Sequence, residues 1–337
     1  MIRLCILLLI VFSNKSQAKQ LGFYFDVELN SPAVYLQDLH GDWQSNDHGR
    51  YAYGKGVMGS WFQASNAWAV GVQRRVYYLL DFTHETAVFY GQLENQQLAA
   101  GEYPLSLKIN AHSSDSLYLQ HTGGITPSLR FQVSAYGHKG RQVQSATLEG
   151  EGRVLDSGSH EYQYELDYYY DYKQLFDRDE PDANGYGHSL DFNIYYELNK
   201  HTDLFLRAED VFYRMYWHEI NQDQGCVARP TPQGELCVLN TKRLAFTQAM
   251  PHQISLGITQ RYKSMEFEAE FLEYNRHNAL WIKGQLQQAK VAMDVINQAY
   301  LVGYEGRLLA ISWSFDDFNY HRAHNWQINM GAQWNFH

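Results

Sequence analysis

Proline and cysteine are scarce in this chain, at 7 and 3 of 337 residues. Charge is scarce as well: Asp, Glu, Lys and Arg make up 19%, against roughly 25% in ordinary soluble domains. Long apolar runs are missing from everything beyond the first residues. A mean hydropathy of -0.47, with no later segment near the ~20 apolar residues of a spanning helix, excludes a helical membrane protein. The cations are outnumbered, 27 Lys and Arg to 37 Asp and Glu. That balance argues against nucleic acid as a partner, because phosphate contacts need clustered Lys and Arg. What the chain has in quantity is aromatic surface: 26 Tyr, 17 Phe and 8 Trp. Such a load excludes a disordered chain.

The first 18 residues read as a secretory signal peptide. Arg3 supplies the positive start, residues 4–12 a short apolar core, and Ser16, Gln17 and Ala18 a small-residue cleavage site. Nine apolar residues are too few to span a bilayer. Cleavage after Ala18 leaves 337 - 18 = 319 residues and removes Arg3 and Lys15, so the formal charge moves from -10 to -10 - 2 = -12. Cys5 leaves with the signal. The remaining pair, Cys226 and Cys237, is expected to form a disulfide in an oxidising compartment. Zinc is not expected there, since no histidine lies between or beside them.

The dominant period of the remainder is two. In residues 161–172 the even positions are Tyr162, Tyr164, Leu166, Tyr168, Tyr170 and Tyr172, and the odd ones include Glu161, Glu165, Asp167 and Asp171. Successive side chains of a strand face opposite sides, so this segment has one aromatic and one acidic face. The alternation recurs at Leu190–Leu198 around Asp191 and Glu197, and at Met265–Phe271 around Glu266, Glu268 and Glu270. It recurs again at 129–135, at 254–258 and at the chain end. Weaker candidates lie at 21–29, 68–80, 103–109, 144–154, 204–217, 279–285, 301–304 and 307–315. No convincing amphipathic helix follows the signal, and residues 285–299 are ambiguous. Residues 31–67 are less periodic and are expected to form loops, a lid or a plug. With no linker and no shift of composition, residues 19–337 read as one domain.

Two architectures carry many alternating strands: a sandwich with its apolar face inward, and a transmembrane barrel with its apolar face outward. Strand candidates of about ten residues suit tilted membrane strands. Fully charged residues on the polar face, and aromatics gathered at strand ends, point the same way. The expectation is an all-β, antiparallel transmembrane barrel of roughly 12–16 strands. Trp326, Ile328, Met330, Trp334 and Phe336 alternate with polar residues to the C-terminus. They resemble the final strand of Gram-negative outer-membrane barrels, although His337 follows the aromatic. The resemblance implies location in the cell outer membrane, contact with outer-membrane lipid and recognition by the barrel-assembly machinery. Counting back from the C-terminus puts the Cys226 loop at the end of the short turns, which calls for one missed strand within 285–299.

The candidate site is the acidic face: Glu149, Glu161, Glu165, Asp167, Asp171, Asp191, Glu197, Glu266, Glu268 and Glu270 are expected in the lumen. An open lumen of this kind attracts cations. In a plugged one the acids pair with Arg75, Arg130, Arg153 and Arg207. No enzyme motif is present. The stretches His112-Ser113-Ser114-Asp115 and His188-Ser189 lack the Asn of the outer-membrane phospholipase pattern, and turn polarity explains both. His321 and His324, after Asp316 and Asp317, read as a solvated loop rather than a metal site. No cofactor is expected. The leading expectation is a non-enzymatic pore or translocation component. The alternatives are an accessory barrel for secretion, pilus or polysaccharide export, with partners from that system, and a rim enzyme acting on lipid or peptide.

Overall fold

The computed structural model describes residues 19–40, 50–94, 99–155, 159–171, 184–229 and 238–336. The expected signal, residues 1–18, and Cys237 lie outside the described residues. Strands β1 (Lys19–Asn30), β2 (Tyr51–Gln63), β3 (Trp68–Phe82), β4 (Gly101–Thr126) and β5 (Leu129–Val154) come first. Next are β6 (His160–Tyr170), β7 (Asn184–Asn199), β8 (Thr202–Arg229), β9 (Leu239–Ala249) and β10 (Gln253–Tyr262). The chain closes with β11 (Met265–Tyr274), β12 (His277–Leu286), β13 (Ala289–Asp294), β14 (Ala299–Glu305), β15 (Leu309–Phe315) and β16 (Asn325–Phe336). Among the described residues one α-helix, α1 (His84–Glu94), lies between β3 and β4. It departs from the expectation of no helix.

All the strands form one antiparallel sheet, and β16 pairs with β1 from Lys19↔Phe336 to Asn30↔Asn325. The sheet is therefore a closed barrel, and closure removes the free edges of a flat sheet. Two wall positions are shared by two segments each. β6 pairs with the upper part of β5 (Gln144–Val154) and β7 with the lower part (Leu129–Gly140). Both also pair with β8. Across β8, β9 takes Arg214–Gly225 and β10 takes Thr202–Glu209. Counting each composite once gives 16 - 2 = 14 wall strands. An even number brings both chain ends to the same rim.

That rim has tight connections. Residues 127–128, 200–201, 263–264 and 287–288 are the two-residue links between paired strands there. The links at the other rim include residues 31–50, 83–100, 230–238 and 316–324. β13 is the strand missing from 285–299, and with it the Cys226 loop falls at the long-loop rim. Residues 51–63 form wall strand β2 rather than a lid or plug. Gly54 and Gly56 flatten the outer half of its alternation, which hid it in the sequence.

The outer face around the short-turn half is apolar. Val72, Leu117, Ile194, Leu206, Leu256, Phe267, Ile282, Val302 and Met330 are all exposed there. In water this is a liability, whereas facing lipid is its ordinary condition. Trp334 and Met330 of the last strand point outward, and Trp334 packs edge-on against Phe23 of β1 at 5.8 Å.

Wall height is uneven: β4, β5 and β8 run 26 to 28 residues, while β13, β14 and β15 run 6 or 7. A tilted strand crosses lipid in about 9–11 residues, so the tall wall extends well past any bilayer. Burial changes sides in that extension. Ala146, Leu166, Tyr168 and Tyr170 are buried with Leu80, Phe82, Ile109, Ala33 and Val34. By strand phase these wall residues continue the outer face. The segment 31–40, expected within a lid or plug, thus packs on the outer phase and not in the lumen.

Lipid contact predicts a depth-dependent response. Phe267→Arg, in mid-strand on the outer face, is expected to cost about 2–4 kcal/mol, and Tyr262→Arg at the short-turn rim about 0–1 kcal/mol. Urea unfolding in lipid vesicles measures both, and equal effects would contradict a membrane belt on this face.

Candidate functional site

The lumen is built on the residues that face inward across β1–β4, β7, β8 and β10–β12. Its centre is Arg75 of β3, which is 4% exposed and ion-paired with Asp210 of β8. These strands are not neighbours in the sheet, so the pair crosses the lumen. Tyr77 donates its hydroxyl to the other oxygen of Asp210 at 2.6 Å. The guanidinium lies 4.3 Å from the Tyr136 ring, and the Tyr136 hydroxyl donates to Asp191 at 2.6 Å. The Asp210 backbone N–H donates to Asp191 as well, at 2.9 Å. Beside this cluster Lys55 of β2 reaches Glu209 at 3.4 Å and the Gln253 side-chain oxygen at 3.3 Å.

The backbone of β8 makes that geometry. Simple alternation would send Glu209 inward and Asp210 outward. Two register shifts against β7 separate His188↔Arg214, Leu190↔Val211 and Phe192↔Ala208, each adding one residue to β8. Asp210 and Phe212 take left-handed φ of 57° and 58°. Bulges of this kind re-aim side chains. Here they bring both Glu209 and Asp210 to the lumen and leave Phe212 70% exposed outside.

Above the ion pair an aromatic layer fills the lumen. Tyr53, Tyr77, Tyr213, Met215, Trp217 and Tyr274 are buried together. The Tyr213 hydroxyl is hydrogen-bonded to His112 Nε2 at 2.7 Å. Trp217 lies over Gly140 and Gly185, whose missing Cβ atoms leave room for the indole against the backbone. Its Nε1–H donates to Gln248 at 3.0 Å, and the Gln248 amide donates across the lumen to Ala111 O at 3.1 Å. A barrel this wide would otherwise hold water, since lumen width grows with strand number. Long side chains meeting from opposite walls close it.

Below the layer lies a cavity of about 250 Å³, lined among others by Tyr24, Asp26, Lys55, Arg75, Asp191, Glu209 and Asp210. A second, of about 330 Å³, shares Tyr24 and Asp26 and reaches Lys290, Ser312 and Asn329 under the short strands. Further toward the short-turn rim, Lys283 pairs with Glu268 at 2.7 Å and also with Glu270, and Arg207 lies 3.4 Å from Glu270. Arg261 bridges Asp203 at 2.7 Å and Glu266 at 3.1 Å.

Nine of the ten carboxylates read from the sequence separate into two groups, and Asp171 stands apart. Asp191, Glu266, Glu268 and Glu270 face the lumen, with Glu197 in the same phase at its rim. Glu149, Glu161, Glu165 and Asp167 keep lumen phase along β5 and β6 but sit on the tall extension, beyond the aromatic layer. Glu149 and Glu165 are exposed there, and Asp167 accepts from Tyr169 at 3.3 Å. Their expected place in the lumen is corrected: the opposite wall has ended, so this face meets water. Asp171 is buried and accepts the Val143 backbone N–H at 2.8 Å. Arg153, read as a lumen partner, pairs instead with exposed Glu102.

Lys55, Asp210, Tyr77, Tyr136 and Tyr213 were missed. The sequence held one trace of them: adjacent acids Glu209 and Asp210 interrupt an alternating strand. The His-Ser stretches do not assemble a catalytic group. His112 and Ser114 both bind Tyr213, while Asp115 lies outside with Arg74 and Arg141. Ser189 bonds His138 at 3.0 Å, and His188 is on the outer face. His324 Nδ1 is bonded to the Ser31 carbonyl at 2.8 Å, and no three metal-ligating side chains converge among the described residues. Cys226 lies near the top of β8.

Removing one partner of the buried pair strands the other. Arg75→Ala is expected to destabilise the barrel by about 3–5 kcal/mol, and Arg75→Met with Asp210→Asn, which tolerates the left-handed φ, to recover part of it. Denaturant midpoints of the refolded protein test this, and a double variant as weak as the single one would contradict it.

No protein-family model and no curated protein matches the chain. Solved structures do. The TodX deltaS2S3 mutant monoaromatic hydrocarbon channel is 11% identical, covering 95% of this chain and 91% of that one, at a TM-score of 0.43. A Pseudomonas aeruginosa FadL homologue is 10% identical, covering 95% and 90%, at 0.38. The translocator domain of the autotransporter NalP from Neisseria meningitidis is 8% identical, covering 99% and 94%, at 0.34. The architecture itself rests on the strand pairing: the chain folds as a closed antiparallel β-barrel.

Proposed function

We propose that the protein is a non-enzymatic transport barrel of the outer membrane with an occluded, acidic lumen that takes small polar or cationic solutes. The short turns face the periplasm and the long loops the exterior. The observation that carries this reading is the lumen cavity, where Asp26, Asp191, Glu209 and Asp210 outnumber Lys55 and Arg75. Four carboxylates against two cations leave a negative potential, and low-dielectric walls focus it. The same reading includes cleavage of residues 1–18 on export, insertion by the assembly machinery through β16, and a Cys226–Cys237 disulfide in the exterior loop.

A second reading is favoured by the cross-lumen bonds of Arg75, Tyr77 and Gln248: a sealed accessory barrel serving a secretion or export system. Planar-bilayer recording separates the two. The native barrel is expected to conduct little. Trp217→Ala with Tyr213→Ala should open a cation-selective path, and adding Asp26→Asn and Asp191→Asn should weaken its selectivity. A folded Trp217/Tyr213 variant that stays silent or prefers anions would sink the transport reading, and silence would leave the sealed barrel standing.

A further inference from the structure

The outer face carries a cationic row directly above the apolar belt. Through paired registers Arg74 of β3 meets Asp115 of β4, Asp115 meets Lys139 of β5, Lys139 meets Tyr186 of β7, and Tyr186 meets Tyr216 of β8. The next row down holds Val72, Leu117, Gly137, His188 and Arg214, and the one below Val70, Leu119, Ala135, Leu190 and Val211. Arg141 enters the row from the bulge that shifts the β4–β5 register. Asp115 accepts from Arg74 Nε at 2.9 Å and from Arg141 Nε at 2.7 Å. One carboxylate thus holds two guanidiniums side by side, each about half exposed. Each guanidinium has five N–H donors, so most remain unspent.

Arg74, Lys139 and Arg141 surround that one acid, and Arg214 lies one row down on β8; Glu219 follows beyond Tyr216 at the next bulge. This concentration runs against a chain with net charge -10. Tyr186 and Tyr216 stack at 5.3 Å beside it, and His188 and His218 continue the ladder at 5.9 and 5.4 Å. Amphipathic rings are the side chains that settle at the headgroup level of a membrane. Guanidinium forks match phosphate geometry.

We propose that this row binds the phosphates of an outer-leaflet glycolipid, with the sugar above the apolar belt lying along the Tyr186–Tyr216 ladder. The inference rests on the outer-membrane orientation given under the proposed function, and on none of the lumen chemistry. The test uses the mature chain refolded in detergent and incubated with lipopolysaccharide, either intact or dephosphorylated, with retained glycolipid measured by native mass spectrometry. The native protein should retain the phosphorylated form and release the dephosphorylated one. Arg74→Gln, Lys139→Gln, Arg141→Gln and Arg214→Gln together should lower retention about tenfold or more, since four exposed charges, each of modest worth alone, are removed together. Lys200→Gln with Lys263→Gln, at the opposite rim, should leave it unchanged. Gel mobility before and after boiling reports folding, so failure of the barrel and failure of the site are distinguishable. Equal retention by the folded row variant, or equal binding of the dephosphorylated lipid, would overturn the proposal. A protein that shows no heat-dependent mobility and partitions as soluble would overturn the orientation instead.

Discussion

The pair between Arg75 and Asp210 sets the interior of this barrel. A wall of 14 strands encloses more width than most side chains can fill, and this contact joins two strands of it that are not neighbours in the sheet. Burying both charges removes them from water, a cost that mutual attraction alone seldom offsets. The cluster answers with hydrogen bonds: Tyr77 to Asp210, Tyr136 to Asp191, and the Asp210 N–H to Asp191. The aromatic layer rests on that cluster, and the cavities lie beneath it. The left-handed backbone at Asp210, unusual for a residue with a Cβ, is stabilised by what its side chain and N–H reach.

β8 is where the wall departs most from regularity. It carries the bulges at 209–213, a further left-handed residue at Glu219, and a composite strand on each side. Breaks in the neighbours let a 28-residue strand serve two levels of the one sheet: the short-turn barrel with β7 and β10, and the tall extension with β6 and β9. In the barrel, outward means lipid and inward means polar lumen. In the extension, that assignment reverses because lipid is gone and segment 31–40 covers the outer phase. One alternating pattern therefore has two meanings at two heights.

That reversal explains which parts of the sequence reading succeeded. The period of two in 254–271 and 325–336 located strands and faces together, because those segments lie in the belt where one rule holds. The same period in 161–172 located a strand but misplaced its acids: Glu161, Glu165 and Asp167 obey the lumen phase in a region with no lumen. β2 was hidden because small outer residues lowered the contrast between its faces. Helix α1 was hidden because a single 11-residue helix between long strands gives little periodic signal. The composite strands were invisible, since alternation says nothing about which neighbour a segment joins.

The sequence by itself determined the barrel class and the alternation of an apolar outward face with a polar inward one. These follow from local alternation, which a strand imposes residue by residue. Only the tertiary structure decided which acids meet which cations, because Arg75 and Asp210 are 135 residues apart and meet through strand count and bulge placement. It alone decided that the lumen closes, since closure depends on Trp217, Tyr213 and Gln248 reaching walls they are not paired with. The height at which the wall leaves the belt is likewise a property of all 14 strands, and no single strand encodes it.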